Sequence, residues 1–210
     1  MPKQVDPQQR RELIADALLN LAARQGLQAV SLRQVAAEAG VTAGMVQHYF
    51  SNKEEMMRFA MKEASGRYET RMNEAFAQLG ENPTPRQIVG TLLTTLLPLN
   101  EHEYDDARVA LAFQAYAATT DSASQELSQG DEGMRALIAE QLRKAHATSP
   151  DGPQTPPGNA TSRDSLHPMH AAAVLLGATE GLGVHILSSQ LAPDVALAAL
   201  ELQLDTFFGD

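Results

Sequence analysis

The chain has 210 residues, of which 43% are hydrophobic and none is cysteine, and its formal net charge is −10. This length and apolar content suffice for a folded core, while the lack of cysteine excludes disulfide scaffolds, thiol catalysis and cysteine-bound zinc. Residues 1–60 hold seven Lys or Arg against six Asp or Glu, whereas residues 61–210 hold nine against twenty. A near-neutral head on an acidic body remains compatible with nucleic-acid binding through a few local cations.

Neither a targeting segment nor a membrane span is expected. The first six residues do not lead into the apolar core that a signal peptide carries. The most apolar stretch, residues 171–191, contains Glu180, His185 and several glycines, which favours a buried helix over a membrane-spanning one. We therefore expect a cytoplasmic protein without membrane contact.

Four helices are predicted in the first 80 residues, and no alternating β-branched run indicates a strand. The first covers about 7–25 and ends at Gly26. Ser31 and Gln34 have the spacing of a capping box, which predicts a short second helix that ends near residue 40. Thr42 caps a third helix to about residue 49, and residues 51–55 offer caps for a long fourth helix to about residue 79.

Five more helices are predicted at about 85–98, 102–119, 123–147, 167–189 and 193–208. Thr84, Pro85 and Gln87 supply the cap, the first-turn proline and the capping-box partner for the first of them. Residues 148–166 contain four prolines and two glycines, which predicts a flexible loop or linker. The fold class is therefore all-α, with about nine helices.

The second and third predicted helices, within residues 31–50, have the features of a helix-turn-helix. Ala36 is small enough for two helix backbones to approach, Gly40 tolerates positive φ in the turn, and Val46 anchors the second helix. Two short helices of an ordinary bundle fit these three residues equally well. What favours DNA binding is the small tip Thr-Ala-Gly at 42–44, bracketed by potential phosphate donors.

Residues 10–56 resemble the TetR (tetracycline-repressor-like) family of bacterial regulators. The resemblance lies in the first-helix pattern Ile14-Ala15-x-Ala17-Leu18 with Gly26, then Ser31-Leu32-Arg33-x-Val35-Ala36, Ala39-Gly40-Val41, Gly44 and Tyr49-Phe50-x-x-Lys53-Glu54. It implies a three-helix DNA-binding head at 1–52 and a helical ligand-binding and dimerisation body at 53–210. It also implies a dimer built from the last two helices and a ligand cavity in the body.

Nine residues in and beside the third helix are predicted to contact DNA. Gln47 is the best candidate to read a base, because its amide can pair bidentately with adenine. Arg33 is expected to meet a phosphate. Lys53 is expected to do the same, because a cation at a helix N-terminus opposes the macrodipole and contributes little to stability there. The full set is Arg33, Thr42, Ala43, Gly44, Met45, Gln47, His48, Tyr49 and Lys53.

A ligand pocket is predicted from Met and aromatic residues that recur along the fourth and sixth helices, although ordinary core is the better interpretation of any one of them. Effector sites are mostly apolar with a few polar anchors, and four polar residues are expected to face inward. The predicted ligand residues are Met61, Tyr68, Met72, Arg108, Phe113, Gln114, Tyr116, Glu180 and His185, of which Arg108, Gln114, Glu180 and His185 are the polar anchors.

The last two helices are predicted to form a homodimer interface. Small residues are dense on the eighth helix, which lets two helices approach closely, and the ninth is apolar on more than one stripe. A terminal helix that apolar should bury a second face. The predicted interface residues are Ala173, Gly177, Gly181, Leu182, Leu197, Leu200 and Leu204.

These patterns together predict a transcriptional regulator, most simply a repressor that binds a palindromic DNA operator as a dimer and is released by a small-molecule effector. The alternatives are a ligand-binding helical dimer without DNA binding, or a helical enzyme. The sequence contains no constellation of nucleophile, base and acid and no glycine-rich phosphate loop after a strand, so no catalytic residue, metal or cofactor is predicted.

Overall fold

The computed structural model describes residues 6–148 and 167–209, except for the side chains of His102 and Thr148. Within these ranges the protein has nine helices and no strand, as predicted for an all-α fold. The helices are α1 (Pro7–Gln25), α2 (Leu32–Glu38), α3 (Ala43–Tyr49), α4 (Lys53–Ala77), α5 (Pro85–Thr95), α6 (Glu101–Ala117), α7 (Asp121–Thr148), α8 (Pro168–Leu187) and α9 (Pro193–Phe208).

The predicted helix ends are confirmed to within about three residues, the largest difference being that α5 ends at Thr95. Both predicted capping boxes form. Gln34 Oε1 accepts from the Ser31 N–H at 2.9 Å, and Thr84 Oγ1 accepts from the Gln87 N–H at 3.2 Å. Such caps satisfy amides that would otherwise lack a partner in the first turn. The predicted loop at 148–166 lies outside the described residues apart from Thr148, the last residue of α7.

The first of two compact units comprises the chain up to Glu69 together with Asn100–Leu127. In it, α1 packs against α2, α3 and α6. The core centres on side chains that are fully or almost fully buried, among them Ile14, Leu18, Val35, Val46 and Phe50. The division between units passes through α4 and α7, whereas the predicted boundary at residue 52 separates functions and stays a prediction.

The second unit comprises Thr70–Leu99 and the described residues from Ser128 onward. Here α9 packs against both α8 and α5, and a Cβ added at Gly90 would lie 3.2 Å from Leu204 Cδ1, so glycine permits that close approach. Arg86 at the start of α5 pairs with Glu201 at 2.9 Å and with Asp205, both on α9. The hydrogen bond with Asp205 raises the pKa of the Arg86 guanidinium, which keeps this link charged.

Among the described residues, one helix, α8, is long and apolar enough to cross a membrane by length and composition alone, with 39% of its most apolar window buried inside the fold. A core helix of a soluble protein meets the same criterion. Its buried side includes Ala172, Leu175, Thr179 and Ile186, and the Thr179 hydroxyl donates to the Leu175 carbonyl at 2.8 Å.

Candidate nucleic-acid interface and effector site

The turn between α2 and α3 has the geometry that the sequence predicts for a helix-turn-helix. Gly40 has φ of +65°, a conformation that residues with a Cβ adopt only under strain. The Val41 N–H donates to the Ala36 carbonyl at 2.9 Å, which closes the turn. Ala36 and Val46 are buried, so α2 and α3 are held together by the side chains that were assigned this role.

The exposed side of α3 presents small and uncharged polar groups. Thr42, Gly44, Gln47 and His48 are exposed, while Ala43 and Met45 are half-buried. Thr42 Oγ1 accepts from the Met45 N–H at 3.2 Å, so its hydroxyl caps the helix. At Gly44 an added Cβ would have only Thr42 Oγ1 within 4 Å, at 3.9 Å. The tip of α3 therefore leaves its backbone accessible to a partner.

The two predicted phosphate-binding cations differ in their surroundings. Arg33 is exposed in the first turn of α2 and has no ion pair within the described part of the chain. Lys53 is half-buried, and its Nζ donates to the Val30 carbonyl at 2.8 Å. The prediction that Lys53 contributes little to stability is therefore wrong, because its hydrogen bond connects the start of α4 to the turn before α2. The Lys53 ammonium has two further N–H donors beyond the one given to Val30, so its contact with a phosphate stays a prediction.

The aromatic residues at the end of α3 differ in burial. Phe50 is buried in the core, and the Tyr49 ring packs against that core. His48 lies on the surface with its ring 5.1 Å from that of Tyr49. This exposure leaves the His48 ring accessible to a partner.

A second set of contacts joins α1 to α4 and was missed at the sequence level. The Arg11 guanidinium lies 4.6 Å from the Phe50 ring centroid and 4.8 Å from that of Phe59, and it pairs with Glu55 at 3.0 Å. Arginine is suited to this arrangement because its planar cation stacks on rings while it donates to a carboxylate. Only the fold brings residues 11 and 55 together, so local pattern contains no signal for it.

Glu55 also closes the turn that starts α4. Its Oε2 accepts from both the N–H and the hydroxyl of Ser51 at 2.8 Å, while Asn52 Oδ1 accepts from the Glu55 N–H at 2.7 Å. The hydrogen bond from the Ser51 backbone, helped by that from the Ser51 hydroxyl and by Arg11, lowers the pKa of the Glu55 carboxyl. The start of α4 is thus held by a hydrogen-bond network centred on the Glu55 carboxylate, whose lowered pKa favours the ionised form.

Further along α4, Arg67 links three helices of the first unit. It pairs with Asp16 of α1 at 2.6 Å and lies 3.7 Å from Asp106 of α6. These groups are partly exposed, so each pair contributes only modestly to stability, but together they define the register of α4 on α1 and α6.

A cleft in the first unit contains three of the nine residues predicted to bind ligand. Met61, Phe113 and Tyr116 line it, between the start of α4, the end of α6 and the start of α7. Its empty space is about 280 Å³ when the open mouth is counted, and the enclosed part is far smaller than a typical small-molecule site. The remaining lining residues, which the sequence analysis missed, are Glu54, Met57, Arg58, Ser122, Ala123 and Glu126.

The expectation that four polar anchors face inward is wrong for three of them. Arg108, Gln114 and His185 are exposed, and Arg108 pairs instead with Asp105 at 2.9 Å. On α6 the buried stripe contains Val109 and Phe113, and positions next to such a stripe turn toward solvent.

Glu180, the fourth anchor, is half-buried on α8, and burial, with Asp131 nearby, raises the pKa of its carboxyl. Tyr68 and Met72, also predicted to bind ligand, are half-buried on α4, with Tyr68 in the first unit and Met72 in the second. Within the first unit, the cleft contains only Met61, Phe113 and Tyr116 of the predicted ligand residues.

The predicted interface residues differ in burial. Ala173, Gly177 and Gly181 are exposed at intervals of four on α8, while Leu182 of α8 and Leu197 of α9 are half-buried. Leu200 and Leu204 are fully buried within the second unit, so their assignment to an interface is wrong: they belong to the α9 stripe that faces the core of this unit.

The comparisons with known proteins agree with the helix-turn-helix. Residues 14–58 match the family model described as bacterial regulatory proteins, tetR family. The chain is 34% identical over 140 residues to the HTH-type transcriptional regulator PksA of Bacillus subtilis, an alignment that covers 66% of this chain and 67% of PksA. The chain belongs to the TetR family of helix-turn-helix transcriptional regulators and is not an enzyme.

Solved structures show the same architecture over nearly the whole length. A transcriptional regulator from Rhodococcus sp. Rha1 is 28% identical with a TM-score of 0.77, and the match covers 94% of this chain and 95% of that one. A regulator from Saccharomonospora viridis, solved in complex with choline, is 17% identical with a TM-score of 0.76, and the match covers 94% and 96%. The second likeness shows the fold alone.

Proposed function

We propose that this regulator is a cytoplasmic repressor that binds a near-palindromic operator as a homodimer and is released by a small-molecule effector. The observation that carries the proposal is the exposed side of α3, where Gln47 and the tip residues Thr42 and Gly44 are exposed. An exposed recognition helix on a firmly packed support is what readout in the major groove requires.

The roles of the DNA-binding residues are assigned from their side-chain chemistry. Gln47 reads a base edge, while Thr42, Ala43, Gly44 and Met45 supply close contacts that include thymine methyl groups. Arg33, His48, Tyr49 and Lys53 hold the phosphates on either side. Arg33 is the most informative of these, because its guanidinium is exposed and has no carboxylate partner within the described residues.

Support for a dimer comes from the outer side of α8. Ala173, Gly177 and Gly181 form a stripe of small exposed residues, flanked by the exposed apolar side chains of Val174 and Val184. Small residues let two helices approach closely, and an exposed apolar stripe favours burial against a second copy. Two-fold symmetry then places the recognition helices about 34–36 Å apart, roughly one turn of DNA.

Release by an effector requires that the ligand bind more tightly to the arrangement that does not fit DNA. The choline complex of the Saccharomonospora viridis regulator supports small-molecule binding within this fold. In this chain, the cleft lined by Met61, Phe113 and Tyr116 is where such a ligand meets predicted contact residues.

The test is a salt titration of binding to labelled DNA from upstream of the gene for this chain and to fragments selected from the genome. We compare wild type with Arg33→Ala and with Arg143→Ala, which removes the same charge from an exposed position of the second unit. Tight binding that falls steeply with salt and is lost only in Arg33→Ala supports the proposal. Equal binding by all three proteins to every fragment would favour a ligand-binding dimer without an operator.

A further inference from the structure

The connection between α3 and α4 is short, comprising Phe50, Ser51 and Asn52, so its geometry fixes the direction of α3 relative to α4. The Phe50 N–H donates to the Val46 carbonyl at 2.9 Å, and the Phe50 side chain is buried, with 2% of the residue exposed. The N–H and the hydroxyl of Ser51 both donate to Glu55 Oε2 at 2.8 Å. The connection is thus held on one side by the core around Phe50 and on the other by the Glu55 carboxylate.

The side chain of Arg11, on α1, joins these two sides. Its guanidinium carbon lies 4.6 Å from the Phe50 ring centroid and 4.8 Å from that of Phe59, while its Nη2 donates to Glu55 Oε1 at 3.0 Å. A cation within about 6 Å of an aromatic centroid is attracted by the ring, more strongly where water is partly excluded. The Arg11 and Glu55 side chains are each 30% exposed, so both contacts are partly shielded from solvent.

The helix that carries Arg11 is itself firmly anchored. Arg11 lies one helical turn before Ile14, which is fully buried in the same core as Val46 and Phe50. In addition, α1 packs against α2, α3 and α6. Because close-packed side chains leave little room for movement, the Arg11 guanidinium is a fixed point of contact for the α3–α4 connection.

The position of Gln47 depends on this connection. Gln47 is exposed on α3, one helical turn before Phe50 and next to the buried Val46, so a small rotation of α3 about Val46 displaces the Gln47 amide. A base contact requires donor–acceptor distances of about 2.7–3.2 Å, whereas attraction between cations and phosphates acts over longer distances. Loss of the Arg11 contacts should therefore impair sequence selection more than overall attraction to DNA.

We propose that Arg11 is a positioning residue for sequence recognition: together with Glu55 it holds the α3–α4 connection in the geometry that places Gln47 at hydrogen-bonding distance from base edges. The inference rests on the proposed function for the role of Gln47. Arg11 acts through the connection and not by touching DNA, because its guanidinium is engaged by two rings and a carboxylate.

The test measures the ratio of affinity for a selected operator to affinity for random DNA, because this ratio does not depend on the fraction of protein that is folded. Arg11→Met removes the charge and leaves an unbranched side chain against the rings. We expect it to lower the ratio by about threefold to tenfold, part of the discrimination that a bidentate base contact supplies. Arg11→Lys retains the charge for Glu55 without the planar group and should lose less.

Arg67→Met is the matched control. It removes the same charge and breaks the 2.6 Å ion pair with Asp16, which also joins α4 to α1 but lies about 18 Å further along α4 than Glu55. This variant should leave the ratio unchanged. A loss as large as that in Arg11→Met would assign the effect to the general docking of α1 on α4 and overturn the inference.

Glu55→Gln distinguishes positioning from a simple change in charge. Its amide oxygen can still accept from Ser51, but an N–H donor then faces the Arg11 guanidinium. Removal of a negative charge by itself strengthens attraction to DNA. Positioning instead predicts a lowered ratio, as in Arg11→Met, and no further loss in the double variant, because both substitutions break one interaction.

Hydrogen exchange in the free protein supplies a measurement without DNA. In Arg11→Met and Glu55→Gln, the Phe50 N–H should exchange faster than in wild type, relative to the amides of α8. Faster exchange in a protein that selects no DNA sequence would retain Arg11 as a positioning residue of α3 and contradict the proposed function. Unchanged exchange, or an equal loss of affinity for operator and random DNA, would overturn the inference. A salt dependence lowered by about one phosphate contact would also overturn it, because Arg11 would then bind phosphate directly.

Discussion

We expect single residues of the DNA-binding unit to determine which DNA sequence this regulator binds. Gln47 lies on the exposed side of α3 and is the residue there whose side-chain amide can both donate to and accept from a base. We expect Arg33 to contact phosphates, which carry no sequence information. Affinity and specificity should therefore respond to different substitutions.

We expect Gln47→Ala to lower affinity for a selected operator by about tenfold or more, because a bidentate base contact is worth about 1–3 kcal/mol of discrimination. Binding to random DNA should change little. The measurement is competition between the operator and versions with each adenine replaced. Gln78→Ala, at an exposed position beyond α4, serves as the control. A uniform loss across all DNA sequences would contradict a reading role.

Glu180 contributes to the dependence of stability on pH. Burial, with Asp131 nearby, raises the pKa of the Glu180 carboxyl above its unfolded value. The folded state then favours the protonated acid, so this contribution to stability is full below the unfolded pKa and is lost as pH rises through the folded one.

Glu180→Gln should therefore gain stability relative to wild type as pH rises above about 4.3, the usual pKa of glutamate. Thermal unfolding between pH 4 and 8 measures this difference. Glu132→Gln, at an exposed position of α7, should unfold in parallel with wild type throughout. Parallel curves for Glu180→Gln would show that this carboxyl is ionised in the folded protein without cost.

At the scale of elements, the α2–α3 turn depends on one backbone conformation. Gly40→Ala puts a Cβ on a residue with φ of +65°, and we expect a loss of about 1–2 kcal/mol in the free energy of unfolding. Gly130→Ala, within α7 and with open space around it, should instead gain about 0.5–1 kcal/mol because alanine favours a helix. Urea unfolding compares the two. A loss of similar size in both variants would refute the backbone argument.

Local sequence predicts the elements well because their determinants are local. Ser31 with Gln34 and Thr84 with Gln87 form their boxes within four residues, and a single turn of chain decides that geometry. The ends of α4 and α5 were less accurate, since α4 ends at Ala77 and α5 at Thr95. Gly80 and Pro98 each lie three residues beyond the observed ends, and the prediction extended the two helices up to these residues, whereas the regular helix ends about one turn earlier.

At the scale of the whole molecule, the exposed stripe on α8 predicts assembly. We expect wild type to sediment at twice the chain mass of 22.6 kDa, and Gly177→Glu to sediment as single chains with weakened operator binding. The glutamate puts a bulky charge where two helices must approach closely. Gly133→Glu, which adds the same charge to an exposed position of α7, should remain dimeric. Wild type that sediments as single chains at every concentration would remove the basis for a palindromic operator.

The sequence by itself determined the helices, the turn at Gly40, and the split between buried Val46 and exposed Gln47, because these depend on neighbours within one or two helical turns. Only the tertiary structure decided that Arg11 lies between Phe50, Phe59 and Glu55, and that Lys53 donates to Val30. It also placed Leu200 and Leu204 inside the second unit and turned Arg108, Gln114 and His185 outward. A helix can have more than one apolar stripe, and contacts with residues distant in sequence decide which stripe packs into the core of the same chain. Hydrophobic periodicity contains no information about those contacts.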